Sequence, residues 1–124
     1  FIFHMKNENL IHDWMVSYLK DKLSRNYDEI RINLGEKRNN EFKGHYPDLI
    51  LINHGLVLAI MEVETEGSIT QEKADEWKTL SGLGAKLILM IPKVSKAKII
   101  DLLWKKGLAD KASVGSYEIT VAMP

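Results

Sequence analysis

Apolar residues recur along this chain at two different intervals, and the intervals divide it into elements. From Asn9 to Leu23, Leu10, Trp14, Ser17-Tyr18 and Leu23 fall in one line, with Ile11, Met15 and Leu19 beside it. That spacing predicts a helix, capped by Asn7 or Asn9. Tyr27 to Leu34 alternates through Ile30, Ile32 and Leu34 and predicts a first strand. Gly35 to Lys43 is strongly polar, a turn or mobile loop. Two apolar runs, Leu49–Ile52 and Leu56–Met61, then flank Asn53-His54-Gly55. The second run is apolar at successive positions, as in a strand covered on both faces. Ser68 or Thr70 can cap a helix running to about Leu83, and Ser68 with Gln71 makes a capping-box pattern. Its inward stripe is Ala74, Trp77, Leu80-Ser81 and Gly84. Lys86–Pro92 reads as a buried strand closed by proline, and Ser95 caps a helix from Lys96 to Lys106, stopped by Gly107. Ile99-Ile100, Leu102-Leu103 and Trp104 supply the apolar side of that helix. Tyr117–Met123 alternates as a last, edge strand. The order helix, three strands, helix, strand, helix, strand predicts an α/β domain spanning 1–124. A strand–helix–strand crossover of this length implies parallel pairing.

The turn at Asn53-His54-Gly55 sets the register of the two central strands. A three-residue loop ending in a left-handed glycine suits this sequence. It places Ile52 opposite Leu56 and Asp48 opposite Ile60, so Asp48 and Glu62 become diagonal neighbours on one face. Such neighbours are roughly 7–8 Å apart at the backbone, near enough for two carboxylates to converge. Glu64 follows on the same face by the period of two. A two-residue loop would instead send Asp48 and Glu62 to opposite faces. Clustered carboxylates repel unless a cation, a base or protonation offsets them.

Composition narrows the picture. The 124 residues are 45% hydrophobic and 27% charged, ordinary for one globular domain. Lys plus Arg and Asp plus Glu are 17 each, so no global field draws the protein to nucleic acid or membrane. Charge is nevertheless segregated: Lys86–Lys111 carries seven lysines against Asp101 and Asp110, whereas Glu62–Lys78 carries six acids against two lysines. With no cysteine there is neither a disulfide framework nor a thiolate metal site. No apolar stretch approaches the ~20 residues that span a bilayer. An intracellular, cytoplasmic location is the expectation, with Phe1–His4 read as an extension ahead of an initiator Met5. Glycine-rich phosphate loops are lacking, since Gly82-Leu83-Gly84 ends a helix instead of opening one.

Pro47-Asp48, an apolar hairpin, and then Glu62-Val63-Glu64 together resemble the core of the PD-(D/E)xK nuclease superfamily. The resemblance extends to the order of elements, the restriction-endonuclease-like α-β-α core with a mixed sheet, over nearly the whole chain. It implies that Asp48 and Glu62 bind Mg²⁺ or Mn²⁺, with the backbone carbonyl of Val63 as a further ligand. Glu64 stands where that family carries lysine. Some restriction enzymes of the superfamily have Glu there, and in other families the Lys comes from the following helix. Lys73, four residues before Trp77 at the border of the buried stripe, is the candidate for that part; Lys78 lies a hundred degrees round. An upstream acid is also common in the family, and Glu36 or Glu8 is the candidate here.

On this reading the chain is a nuclease domain cutting DNA, of the Holliday-junction-resolvase or repair type, with a homodimer that cuts two strands as the expected pairing. Glu64 would orient or deprotonate water, Lys73 would stabilise charge, and Lys37, Arg38 and Lys43 would meet phosphates. The alternative is a catalytically inactive module that keeps the fold for nucleic-acid or protein binding. His12 is a ligand on paper, though a lone helical histidine is usually a surface or packing residue. A solvated loop also routinely carries charges such as those of Lys37, Arg38 and Lys43.

Overall fold

The computed structural model describes residues 2–124, with side chains described from Glu8 onward; Phe1, the first residue of the expected extension, lies outside them. Three helices and a five-stranded mixed sheet follow in the order α1 (Ile2–Leu23), β1 (Glu29–Ile32), β2 (Leu49–Asn53), β3 (Leu56–Val63), α2 (Gln71–Ser81), β4 (Lys86–Pro92), α3 (Lys96–Lys105), β5 (Ala112–Tyr117). The strands lie side by side in chain order. β1–β2 and β2–β3 are antiparallel, β3–β4 and β4–β5 parallel. Among the described residues no helix is long and apolar enough to cross a membrane.

Alternation within the strands builds two cores. Ile50, Ile52, Ile60, Leu87, Leu89 and Ile91 point to one face and meet Trp77 and Leu80 of α2 and Ile99, Leu102 and Leu103 of α3. Leu49, Leu51, Ala59, Met61 and Val63 point to the other and meet Met15, Val16 and Leu19 of α1. Both crossovers step one strand in the same direction. Crossovers of a single hand then lay both helices on one face, as observed. The other face is left to α1.

Several boundaries differ from the sequence reading, each for a local reason. Helix α1 begins upstream of Asn7 and Asn9, so neither caps it. Its buried stripe is Met15, Val16 and Leu19, while Leu10, Trp14 and Tyr18 face outward, the two rings stacked at 5.4 Å. Both lines have helical spacing, and periodicity alone does not say which one the sheet covers. β1 is shorter than expected. The last strand is Ala112–Tyr117, not Tyr117–Met123, because Ala112–Tyr117 pairs with Leu87–Pro92 of β4 in parallel register. Beyond it, Ile119, Val121 and Met123 alternate but are exposed. In α3, Ile100 and Trp104 also turn outward.

Thr70, not Ser68, caps α2, accepting the Lys73 N–H at 3.1 Å. The Ser68 hydroxyl instead serves the turn before the helix, accepting the Thr65 N–H at 2.9 Å.

Candidate functional site

The turn of the β2–β3 hairpin is tighter than expected. Asn53 pairs with Leu56, leaving only His54 and Gly55 between them, both left-handed at φ 51° and 76°. Two left-handed residues in a row are the conformation of a type I′ turn. On its own that loop would have put Asp48 and Glu62 on opposite faces. A β-bulge restores them: Ile52 pairs with Val57 but Leu51 pairs with Ala59, so Leu58 is the extra residue. From there the ladder runs Ile50–Ile60 and Leu49–Met61. Continued one step, it sets Asp48 directly across from Glu62, closer than the diagonal placement expected. The Asp48 N–H donates to Glu62 Oε2 at 3.0 Å, and the Val63 N–H donates to Asp48 Oδ2 at 2.8 Å.

Proline shapes the next step of the ladder. Pro47, just ahead of β2, has no N–H and so donates no backbone hydrogen bond. The Pro47 carbonyl is turned away to Asn33, whose Nδ2 donates to it at 2.7 Å.

Two cations flank the pair, one from each helical layer. His12 of α1 places Nε2 3.0 Å from Asp48 Oδ1 and Nδ1 2.9 Å from Asp13 Oδ1, which also accepts the Gly35 N–H at 2.9 Å. Only the doubly protonated ring can donate to both carboxylates. Burial lowers the pKa of His12, but its bonds to Asp48 and Asp13 outweigh that and raise it from 6.5 to about 9. Lys73, in the first turn of α2, points back toward the strand ends as helical side chains do. Its Nζ lies 3.1 Å from Glu76 Oε2 and 4.0 Å from Glu64 Oε2. Burial opposes its charge, yet Glu64 and Glu62 together hold its pKa above the ordinary lysine range. Glu62 itself is only 7% exposed, and burial, then the Asp48 charge, push its carboxyl well above the usual range.

Asp48, Glu62 and Lys73 open onto one cavity of about 870 Å³, closed on its other side by the segment between β1 and β2. That segment is pinned. Buried Asn33 donates through Nδ2 to the carbonyls of Asn40 and Pro47 and accepts the Asn40 N–H at 2.8 Å. Phe42 and His45 bridge across a tight turn at Lys43-Gly44, both left-handed. Lys37, Arg38 and Tyr46 reach the cavity from this wall, with the Arg38 guanidinium 5.4 Å above the Tyr46 ring.

The residues singled out in the sequence divide by position. Asp48, Glu62, Lys73, Glu36, Lys37 and Arg38 line the cavity. Glu64 does not. It is 1% exposed, and its carboxylate accepts from Trp77 Nε1 at 2.9 Å and from the Ser68 hydroxyl at 2.7 Å. Burial raises its pKa, while Lys73 and those two donors lower it. Its backbone carbonyl accepts from the Tyr117 hydroxyl at 2.6 Å. Lys43 spends its ammonium on the Leu83 carbonyl at 2.5 Å. Glu8 accepts from the Thr65 hydroxyl and the Gly67 N–H, and Lys78 is exposed. His12 is drawn into the site despite its unremarkable setting in sequence. Asn33 and Tyr46 carried no sequence signal beyond residue type.

Chemically, this is a hard-oxygen donor set with surplus negative charge. His12 and Lys73 stand against Asp13, Asp48, Glu62, Glu64 and Glu76. Among the described residues no group of three or more histidine, aspartate or glutamate side chains is placed to hold a metal ion. Asp48 and Glu62 are hard oxygen donors, the class that Mg²⁺ takes while keeping several waters. No protein-family model matches the chain, and no curated protein or solved structure matches it significantly.

Proposed function

We propose that this chain is a metal-dependent nuclease domain that hydrolyses phosphodiester bonds in DNA, built on the restriction-endonuclease-like pattern its sequence resembles. The observation carrying this reading is that Asp48 and Glu62 meet on the wall of a cavity also lined by Lys37, Arg38 and Lys73. Asp48, Glu62 and the Val63 carbonyl would hold Mg²⁺ or Mn²⁺. Bound there, the ion would lower the pKa of a coordinated water and neutralise charge developing on the phosphate. Asp48 is oriented for this by His12 and by the Val63 N–H. Lys73 supplies positive charge next to Glu62, the part played by lysine in the resembling family. Lys37 and Arg38 meet the flanking phosphates. Glu64 fastens β3 to α2 through Trp77, a holding part in place of the water-orienting one expected from its position. A homodimer able to cut two strands belongs to the same proposal.

A binding module that does not cleave is the second reading. The observation favouring it is that Glu64, in the usual lysine position, is absorbed by Trp77 and Ser68.

Calorimetry with Mn²⁺ separates the two. Wild type should bind the ion, and Asp48→Ala and Glu62→Ala should not. Branched, single-stranded and duplex DNA incubated with Mn²⁺ should be cut by wild type only. Absence of both binding and cleavage in wild type overturns the nuclease reading.

A further inference from the structure

The cavity wall formed by the segment between β1 and β2 carries Tyr46, two residues before Asp48. Its ring is capped by the Arg38 guanidinium at 5.4 Å, and 36% of the residue remains exposed. The segment bearing both is held at Asn33, at the Phe42–His45 bridge and at the Lys43–Leu83 contact. The aromatic plane is thus presented at little further cost in ordering. Cations at the cavity are few: Lys37, Arg38 and Lys73, the last already paired with Glu76. The chain as a whole has zero formal net charge. Binding of a closed duplex relies on many phosphate contacts, and this surface supplies few. Binding of single strands draws instead on base–aromatic stacking, which needs only an unpaired base and an open π-face. The cavity volume, about 870 Å³, lies within the range that takes a small molecule or short segment.

We propose that Tyr46, backed by Arg38, is a stacking platform for an unpaired base beside the phosphate held at Asp48 and Glu62, so that the site takes single-stranded or splayed nucleic acid in preference to closed duplex. This inference rests on the nuclease reading for the place of the phosphate. The stacking itself does not require cleavage.

The test is binding, read by fluorescence anisotropy of short labelled single-stranded DNA, single-stranded RNA and blunt duplex DNA, with 2-aminopurine as a stacking reporter. Single strands should bind at least about tenfold tighter than the duplex and quench 2-aminopurine. Tyr46→Ala should weaken single-strand binding about 5- to 150-fold and abolish the quenching, with Tyr46→Phe close to wild type. Tyr46→Leu, which keeps bulk but no π-face, should resemble Tyr46→Ala, and unchanged thermal unfolding in all three excludes a collapsed wall. Equal binding of duplex and single strand, or indifference to Tyr46→Ala, overturns the proposal. Cleavage of duplex that ignores Tyr46 would overturn stacking while sparing hydrolysis. Stacked single strands never cut by wild type would overturn hydrolysis while sparing stacking.

Discussion

Protonation of His12 couples α1 to the carboxylate pair, and its effect on stability has a definite sign. The folded-state pKa is about 9 against 6.5 for the free ring. Below pH 6.5 both folded and unfolded chains carry the proton, and the stabilisation is fully present. As the pH rises toward 9 the unfolded chain sheds it first, and the stabilisation is lost. At 1.36 kcal/mol per unit the full shift corresponds to about 3 kcal/mol. With 21% of the His12 side chain accessible, solvent screening reduces the expected effect to about 2 kcal/mol. For a chain of this length that lowers Tm by roughly 6–8 °C. Glu62 acts in the same direction, since its raised carboxyl also holds a proton that the unfolded chain has given up. The assay is urea unfolding in EDTA at pH 6, 7.5 and 9.5, comparing wild type with His12→Gln. The gap between the two should close as pH rises, and the Glu62 contribution, common to both, appears as a fall in the stability of each. An NMR titration of the His12 ring should centre near pH 9. A midpoint near 6.5, or a gap that stays constant with pH, would refute the ion pair as drawn.

Three further substitutions probe separate parts of the site. Glu64→Lys sets an ammonium against the Trp77 and Ser68 donors, and should destabilise by at least about 3 kcal/mol in chemical denaturation; a stable, more active variant would mean that position 64 faces the cavity. Pro47→Ala frees the backbone just ahead of Asp48 and should weaken Mn²⁺ binding about 2- to 5-fold in calorimetry. Unchanged affinity there would mean that the proline does not help hold Asp48 in place for the ion. In Gly67→Ala the added Cβ would fall 2.5 Å from Glu8 Oε2. Glu8 must then withdraw from Thr65 and Gly67, at about 1–2 kcal/mol by thermal unfolding. In a Glu8→Ala background the same change should be nearly neutral.

Hydrophobic periodicity alone carried the helix–strand order, the strand Lys86–Pro92, and Ala74, Trp77 and Leu80 of the α2 stripe. These depend on local spacing, and a strand covered on both faces or a helix covered on one leaves that spacing in the sequence. Ser81, expected in the same stripe, is half-buried, and Gly84 lies exposed beyond the end of the helix. The pairing of Asp48 with Glu62 was legible only in part. Its face was foreseen from a three-residue loop, whereas the protein reaches it through a two-residue turn and a bulge at Leu58. Two local choices that cancel in register leave no trace in the hydrophobic pattern.

Other features were decided by tertiary structure. Leu10–Trp14–Tyr18 and Met15–Val16–Leu19 are both apolar lines on one helix, and only packing against Leu49, Leu51 and Met61 selects the second. That selection turns His12 inward to Asp48. The same packing sets Trp77 beside Glu64 and so removes from the cavity a carboxylate that strand alternation alone had placed there. Alternation fixes which face a side chain leaves from. What meets it there depends on partners far away in sequence, and those are brought close only when the layers close.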